Sequence, residues 1–561
     1  YSKKNRRNGW FWIAVALALS LYSGFPETAY INGLFVAAWA LARLIQLRSG
    51  SLKAFLRKLI AGAGVGLLIA APILLAFADY YPHANVGMHD GAAGLQALGI
   101  TGLPGLIMPY IYGSIFGLFS SKSGTILAWW GSVGGYTTAL ILVLAVFGFW
   151  SKKQKALLIM LGAWILLAVA RTYGLPGISQ LINLIPGISA TAFYRYAFPA
   201  IEFALIVLAA FGLDSLLVNR KKRQTILFVA LAVIGLTLCL ALFAVIKHDL
   251  LLVEAQKHRL WPVGSIIWGL SSVVFVVLAV RFMSAARAVT AISALLIIEA
   301  IWLFTIPQLS APRNPTINLA PVQYLRQNLG NSRFFSLGPI SPNYGSYFNV
   351  ASINTNNLPI SKDWSKYVTK NLYSNVDPIL FTGSNQANPQ GPTPLQSLLT
   401  NLPNYEQVGV KYIVAAPGVI DAKTASENHM KLVFSDAQAE IFQLSGTKEY
   451  FEVLGKNCQI KVISKDTVKT QCDQADTLLR RELYMPGWTA MDIKQGKLML
   501  VKQKDDLFQT VALPKGSSEV KLNLYPPHMN IAMLAATLEC LIVVLSYEKK
   551  KKIKKRFSGI N

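Results

Sequence analysis

Three groups of residues in this chain are of types that can do acid–base chemistry, bind an anion or stack on a ring. Asp79-Tyr80-Tyr81-Pro82-His83 and Met88-His89-Asp90 place two carboxylates and two imidazoles close together, and Glu27 sits in the turn Ser23-Gly24-Phe25-Pro26-Glu27-Thr28. A carboxylate such as Asp79, Asp90 or Glu27 can take a proton from a hydroxyl or ligate a metal. The spacing of Asp79 and Asp90 with His83 and His89 matches no metal-site signature, which favours a solvated loop cluster, while Glu27 reads equally as a helix cap. The second group is Phe193-Tyr194-Arg195-Tyr196 with Arg171 upstream. A guanidinium there can hold a phosphate through two parallel hydrogen bonds while Tyr194 and Tyr196 keep the headgroup level, and the alternative is a pair of interface anchors. The third is Trp364, Tyr344 and Tyr347, set among Asn and Ser residues. Such rings stack on sugars, although core aromatics leave the same pattern. Glu202, Glu299 and Glu539 fall inside apolar runs and are expected to face protein, Glu202 on the helix face of Arg195.

The elements that must position these residues are membrane helices. The 561 residues are 53% hydrophobic and 14% charged, and about ten apolar runs of roughly 13 to 22 residues recur, most of them matching the hydrocarbon thickness at about 1.5 Å per residue. Backbone hydrogen bonding makes such runs helices. They cover Trp10 to Tyr22, Ile31 to Leu47, Leu59 to Ala78, Gly135 to Trp150, Ala156 to Tyr173, Phe198 to Val218, Thr225 to Ile246, Val263 to Met283, Thr290 to Leu309 and Met529 to Tyr547. With the N-terminus inside, the connections among them carry 25 Lys+Arg on the cytoplasmic side and six outside, the bias that orients membrane proteins. The net charge of +26 is therefore a topological signal, not a nucleic-acid footprint. Membrane lipids, met by the closing Lys549-Lys550-Lys551-Lys552-Ile553-Lys554-Lys555-Arg556, are the partner this charge implies. The chain begins at Tyr1 without an initiator Met, which suggests a piece of something longer.

Three regions follow: a membrane domain of about nine helices over 1–310, an extracytoplasmic domain over 311–528, and a final helix with its basic cytoplasmic tail over 529–561. The middle region has 22 Lys+Arg and 17 Asp+Glu, an ordinary soluble balance. Its first half, Leu337 to Pro403, is rich in Gly, Asn and Pro. Its second half alternates as strands at Val410 to Ala415, Leu432 to Phe434, Glu440 to Leu444, Cys458 to Ile463, Thr467 to Cys472, Arg480 to Met485, Lys497 to Lys502, Phe508 to Leu513 and Glu519 to Tyr525, a pattern that predicts a β-sandwich. Folded as a hairpin about Lys465, Cys458 and Cys472 stand opposite one another, placed for a disulfide in an oxidising compartment; two free thiols is the alternative. Trp488 reads as core, and Cys239 and Cys540 lie inside apolar runs.

These residues resemble the bacterial membrane protein YfhO family, grouped with multispanning GT-C type glycosyltransferases. The resemblance rests on Leu479-Arg480-Arg481-Glu482-Leu483-Tyr484-Met485-Pro486-Gly487-Trp488, Phe508-Gln509-Thr510-Val511-Ala512-Leu513-Pro514-Lys515-Gly516 and Leu524-Tyr525-Pro526-Pro527. Gly24-Phe25-Pro26-Glu27-Thr28, Gly135-Tyr136, Arg195, Asn343-Tyr344-Gly345-Ser346-Tyr347 and Val408-Gly409-Val410-Lys411-Tyr412 match as well. Their order along nearly the whole chain carries it. The resemblance implies a GT-C-like bacterial cell-membrane enzyme that moves a sugar from a polyprenyl-phosphate carrier to an envelope polymer such as lipoteichoic acid. A catalytic acid is implied in an outside loop upstream of this chain, and help for the departing phosphate would come from cationic groups or a divalent cation such as Mg²⁺ or Mn²⁺. The rival readings are a lipid or sugar transporter or flippase, and a non-catalytic envelope scaffold. The gathering of polar groups at span ends, with few along the spans, favours transfer chemistry over passage.

Overall fold

The computed structural model describes residues 9–47, 49–113, 137–218, 223–247, 260–310, 317–342 and 344–558. Gly135, Tyr136, Lys122 and Asn343 lie outside them. The chain divides into two compact units, one of residues 1–66 and 88–314, the other of residues 67–87 and 315–561.

The first unit is helical. Its main helices are α1 (Gly9–Tyr22), α2 (Pro26–Gln46), α3 (Ser49–Ile69), which runs on into the second unit, then α5 (Ala139–Gly148), α6 (Lys155–Thr172), α7 (Phe193–Tyr196), α8 (Phe198–Val218), α9 (Arg223–Lys247), α10 (Leu260–Phe282) and α11 (Ala285–Ser310). Among the described residues, six helices are long and apolar enough to cross a membrane, namely α2, α6, α8, α9, α10 and α11. The remaining expected runs are a broken pair and three shorter apolar helices, α1, α5 and Met529–Leu545. The broken pair is α3 and α4 (Ala71–Tyr80), interrupted at Ala70. Pro72, in the first turn of α4, has no N–H to carry the helix through, so the single run expected at Leu59 to Ala78 is two helices. The division between units falls just before this break, between Gly66 and Leu67.

Glycine sets the closest packing in this unit. A Cβ on Gly212 of α8 would lie 1.7 Å from the Leu144 carbonyl oxygen of α5, and one on Gly148 of α5 would lie 2.5 Å from that of Leu208. Gly62 and Gly66 of α3 approach the Trp10 and Ala14 carbonyl oxygens of α1 somewhat less closely, at 2.7 and 2.9 Å from an added Cβ. Lipid tails are as apolar as leucine, so close backbone approach supplies the association. Around α5 and α8 the core gathers Leu140, Val143, Leu144, Ile201, Ala204, Leu208 and Val273.

The second unit holds α4, α12 (Met529–Ser558) and the β-rich region. A short antiparallel pair, β1 (Ala84–Asn85) and β3 (Ile360–Ser361), attaches residues 67–87 to it. Four strands, β2 (Arg333–Ser336), β4 (Val410–Ala415), β5 (Met430–Ser435) and β6 (Glu440–Leu444), form a mixed sheet in the order β2-β4-β6-β5. Both faces are covered: Phe335, Ile413 and Phe442 pack one way, Phe334, Tyr412 and Ile441 the other.

The next eight strands are β7 (Phe451–Val453), β8 (Cys458–Val462), β9 (Thr467–Cys472), β10 (Asp476–Arg480), β11 (Trp488–Asp492), β12 (Lys497–Lys504), β13 (Phe508–Leu513) and β14 (Gly516–Leu524). They form one sheet in the order β7-β10-β13-β12-β11-β14-β9-β8, and the edge strands β7 and β8 approach each other. The expected β-sandwich is therefore a single sheet curled into a nearly closed barrel. Alternation determines which side chains point inward, and sandwich and barrel share it. Val468, Thr470 and Cys472 of β9 meet Val520, Leu522 and Val511 inside, while Leu524 is exposed. Cys458 pairs with Cys472 across β8 and β9, and the two form a disulfide with Cα atoms 3.9 Å apart. Cys239 and Cys540 are free and exposed.

Candidate functional site

Helix α2 opens after the Gly24 turn, where φ is 78°. Pro26 occupies its first position and Glu27 its first turn. An anion suits that end, where the first N–H groups lack intrahelical partners. Glu27 is not spent on its own helix. Its Oε2 accepts the Ala192 N–H at 2.8 Å, and its Oε1 lies 3.0 Å from His89 Nδ1. The same Nδ1 is 3.0 Å from the Ala190 carbonyl oxygen. Both neighbours are acceptors, so Nδ1 carries a proton.

Arg195 completes the cluster. It lies on α7, one turn from Ala192, with its guanidinium exposed and its Cζ 5.7 Å from the centre of the Tyr194 ring. Its charge acts on Glu27. Tyr196 meets Phe25 edge to face at 4.7 Å, and the Tyr30 hydroxyl donates to the Pro186 carbonyl, which binds the start of α2 to the segment around 186–196. Thus Glu27 and the Tyr194-Arg195-Tyr196 segment, which the sequence places far apart, meet in one unit. His89, expected only as a neighbour of the Asp90 cluster, belongs with Glu27 instead.

The other candidates lie elsewhere. Arg171 is 1% exposed. Its Nε donates to Asn183 Oδ1 at 2.9 Å, Nη1 to the Gln96 carbonyl at 3.1 Å and Nη2 to the Gly94 carbonyl at 2.8 Å, over the Phe193 ring. It ties loops together and is not the open phosphate clamp expected of it. Asp79, on α4 in the second unit, accepts the His528 backbone N–H at 3.0 Å and the His528 ring Nδ1–H, fastening α4 to the start of α12. Asp90 is exposed and its Oδ1 lies 3.4 Å from the Ala92 N–H. Asp79 belongs to the second unit and Asp90 to the first.

In the second unit, Trp364 is 7% exposed and stacks on Tyr367. It edges a cavity of about 310 Å³ that also meets Asn357, Arg333 and Arg481. A second, more polar cavity of about 380 Å³ is lined by Asn349, Asn354, Asn356, Asn357, Ser352 and Lys465. Ser352, Thr355 and Asn357 line both. Tyr344 is half-buried and Tyr347 is 84% exposed, both on the short helix Tyr344–Phe348 beside the polar cavity. Trp488 packs against the barrel core with Arg480 over its ring at 4.7 Å.

Sequence reading missed an ionic network built on buried arginines, part of which lines the first of these cavities. Arg480 and Arg481 are 3% and 2% exposed. Arg480 reaches Asp466 at 2.5 Å and Gln509 at 3.1 Å, Arg481 reaches Glu452 at 2.6 Å, and Arg333 reaches Glu482 at 3.2 Å. Tyr450 donates to Glu482 at 2.9 Å. Burial alone would raise the Glu482 carboxyl, but Arg333, the Tyr450 hydroxyl and Arg480 outweigh it and hold it below the ordinary range. The signal was the charge run Arg480-Arg481-Glu482 inside an otherwise apolar strand pattern.

A divalent cation such as Mg²⁺ or Mn²⁺ would find Glu27 and His89 side by side. Among the described residues no group of three His, Cys, Asp or Glu gathers around them. Compared with protein-family models, with curated proteins and with solved structures, the chain matches none.

Proposed function

We propose that the chain is a membrane glycosyltransferase that moves a sugar from a polyprenyl-phosphate carrier to an extracytoplasmic envelope polymer such as lipoteichoic acid. The observation that carries this reading is the meeting of Glu27, His89 and the exposed Arg195 with its flanking tyrosines in one helical unit. The transfer joins an acceptor hydroxyl oxygen to the anomeric carbon and breaks that carbon's bond to the carrier phosphate. Glu27 takes the hydroxyl proton, held in place by the Ala192 N–H and the His89 ring. Arg195 pairs with the phosphate as it departs. Carboxylate and guanidinium are the two groups the reaction needs, one for each bond.

In this reading the six long helices, the broken pair and the three shorter apolar helices make ten crossings. Residues 315–528 lie outside the bacterial cell membrane, the basic tail lies inside, and the start of α2 opens at the outer surface. The polar cavity, with Asn356, Asn357 and Lys465 on its walls and Tyr347 nearby, suits a hydroxyl-rich, phosphate-bearing acceptor.

The test is sugar on the surface polymer in a strain whose only copy carries Glu27→Gln or Arg195→Ala at matched membrane abundance. Transfer is expected to fall on the order of 10²-fold or more in each case, with the loaded carrier accumulating. Unchanged modification in both strains would remove the assignment. If deleting the gene left the polymer sugar unchanged, a scaffold or a flippase would replace the transferase.

A further inference from the structure

Glu299 sits in the middle of α11, 3% exposed. Its Oε2 accepts the Thr138 hydroxyl at 2.7 Å and its Oε1 accepts the Trp268 indole N–H at 2.8 Å. Both donors are neutral. Among the described residues no Lys, Arg or His pairs with it. A carboxylate taken this far from water is costly, and two neutral hydrogen bonds return only part of that cost.

Beside it is a cavity of about 320 Å³ in the same unit. Its walls carry Tyr110, Trp261, Trp268 and Trp302 together with Glu299 and Thr138. Three of the chain's 12 tryptophans therefore line one cavity with a carboxylate, and Trp268 touches that carboxylate directly. The Tyr110 ring lies 6.1 Å from that of Trp261, and its hydroxyl donates to the Leu303 carbonyl at 2.6 Å, which anchors that wall. A hard metal ion would want six or more oxygens, and this lining is mostly carbon. Aromatic rings around a single anionic group are the surroundings that recognise an organic ammonium ion, whose charge is spread over C–H or N–H hydrogens. The volume falls at the small end of ordinary ligand sites. Leu260 and Trp261 begin α10 and Ile306 lies in the last turns of α11, so one end of the cavity lies where those helices end. Glu299 is 11 residues from Ser310, about 16 Å of helix from that end.

We propose that this cavity binds an organic ammonium group, a primary or quaternary amine, whose charge pairs with Glu299 inside the enclosure of Trp261, Trp268 and Trp302. The group could come from a membrane lipid headgroup or from a free small amine, and the site is separate from the Glu27 cluster.

The whole chain, in nanodiscs of phosphatidylglycerol at matched ionic strength, is titrated with choline, with ethanolamine and with 3,3-dimethyl-1-butanol, the neutral analogue of choline, while its thermal unfolding is followed. A saturable rise with at least one amine is expected, with the neutral analogue at least about tenfold weaker. Glu299→Gln should weaken that amine on the order of 30-fold or more. Trp302 is 53% exposed, so Trp302→Leu keeps the fold and should weaken it about tenfold, a result that stands even if the Glu299 variant does not fold. Repeating the titration in phosphatidylethanolamine nanodiscs separates the sources. A lost or much weaker response there means that the lipid's own ammonium occupies the cavity, and an unchanged response means a free amine. The proposal is overturned by the absence of a saturable response to either amine, by equal binding of the neutral analogue, or by unchanged binding in Trp302→Leu.

Discussion

Arg171 and Arg195 stand on neighbouring elements, and burial gives them opposite roles. Arg171 spends its guanidinium on Asn183 and on the Gln96 and Gly94 carbonyls, so replacing it leaves buried acceptors without donors. Arg171→Met should cost the helical unit about 3 kcal/mol, read as a lowered unfolding midpoint in detergent. Arg195→Ala should leave stability within about 1 kcal/mol, because its head is exposed, and should act on transfer instead. If the two variants destabilised equally, the division of labour between clamp and tie would be wrong. Sequence alone could not separate them: each is an arginine next to aromatic residues at the end of an apolar run, and only the loop residues Gly94 and Gln96, more than 70 positions upstream, decide which one is enclosed.

At the scale of elements, contact between α5 and α8 depends on having no side chain at Gly212. A Cβ there meets the backbone oxygen of Leu144 at 1.7 Å, which no rotamer change relieves. Gly212→Val should therefore force the helices apart and cost about 3 kcal/mol, seen as loss of the monodisperse species on heating; an unchanged profile would mean the helices pack less closely than this. The β8–β9 hairpin carries a covalent prediction of its own. Denatured without reductant, the chain should take up two thiol labels, at Cys239 and Cys540, and four after reduction. That pairing was legible because alternation around Ser464-Lys465-Asp466 put the cysteines in register. β4, β6, β9 and β13 were legible in the same way, each alternating or apolar between clear turns. The strand expected at Arg480 to Met485 was not, since β10 ends at Arg480 and the next residues turn to bury Arg481 and engage Glu482. Period-two patterning says nothing of a buried charge network. The break at Ala70 was legible in principle from Pro72, but an uninterrupted apolar run hides a change of unit, because both sides of the break are apolar.

Across the molecule, charge sets both stability and orientation. Glu482 is held below the ordinary carboxylate range when folded. Its contribution is therefore complete above the unfolded value of about 4.3 and disappears as pH falls through that value and then through the lower folded one. Unfolding of the second unit, followed by protease resistance in the whole chain, should be flat from neutral pH to about 5 and decline below, and Glu482→Gln should flatten part of that decline. Orientation rests on 25 basic residues in one set of connections against six in the other. If they lie in the cytoplasm, protease added to intact protoplasts will cut within residues 315–528, for example at the exposed turn Asn388-Pro389-Gln390, while a tag after Asn561 survives until lysis. The opposite pattern would place Glu27 and Arg195 at the cytoplasmic surface. A carrier loaded and used outside the membrane could not reach them there, and the transferase reading would fall with the topology.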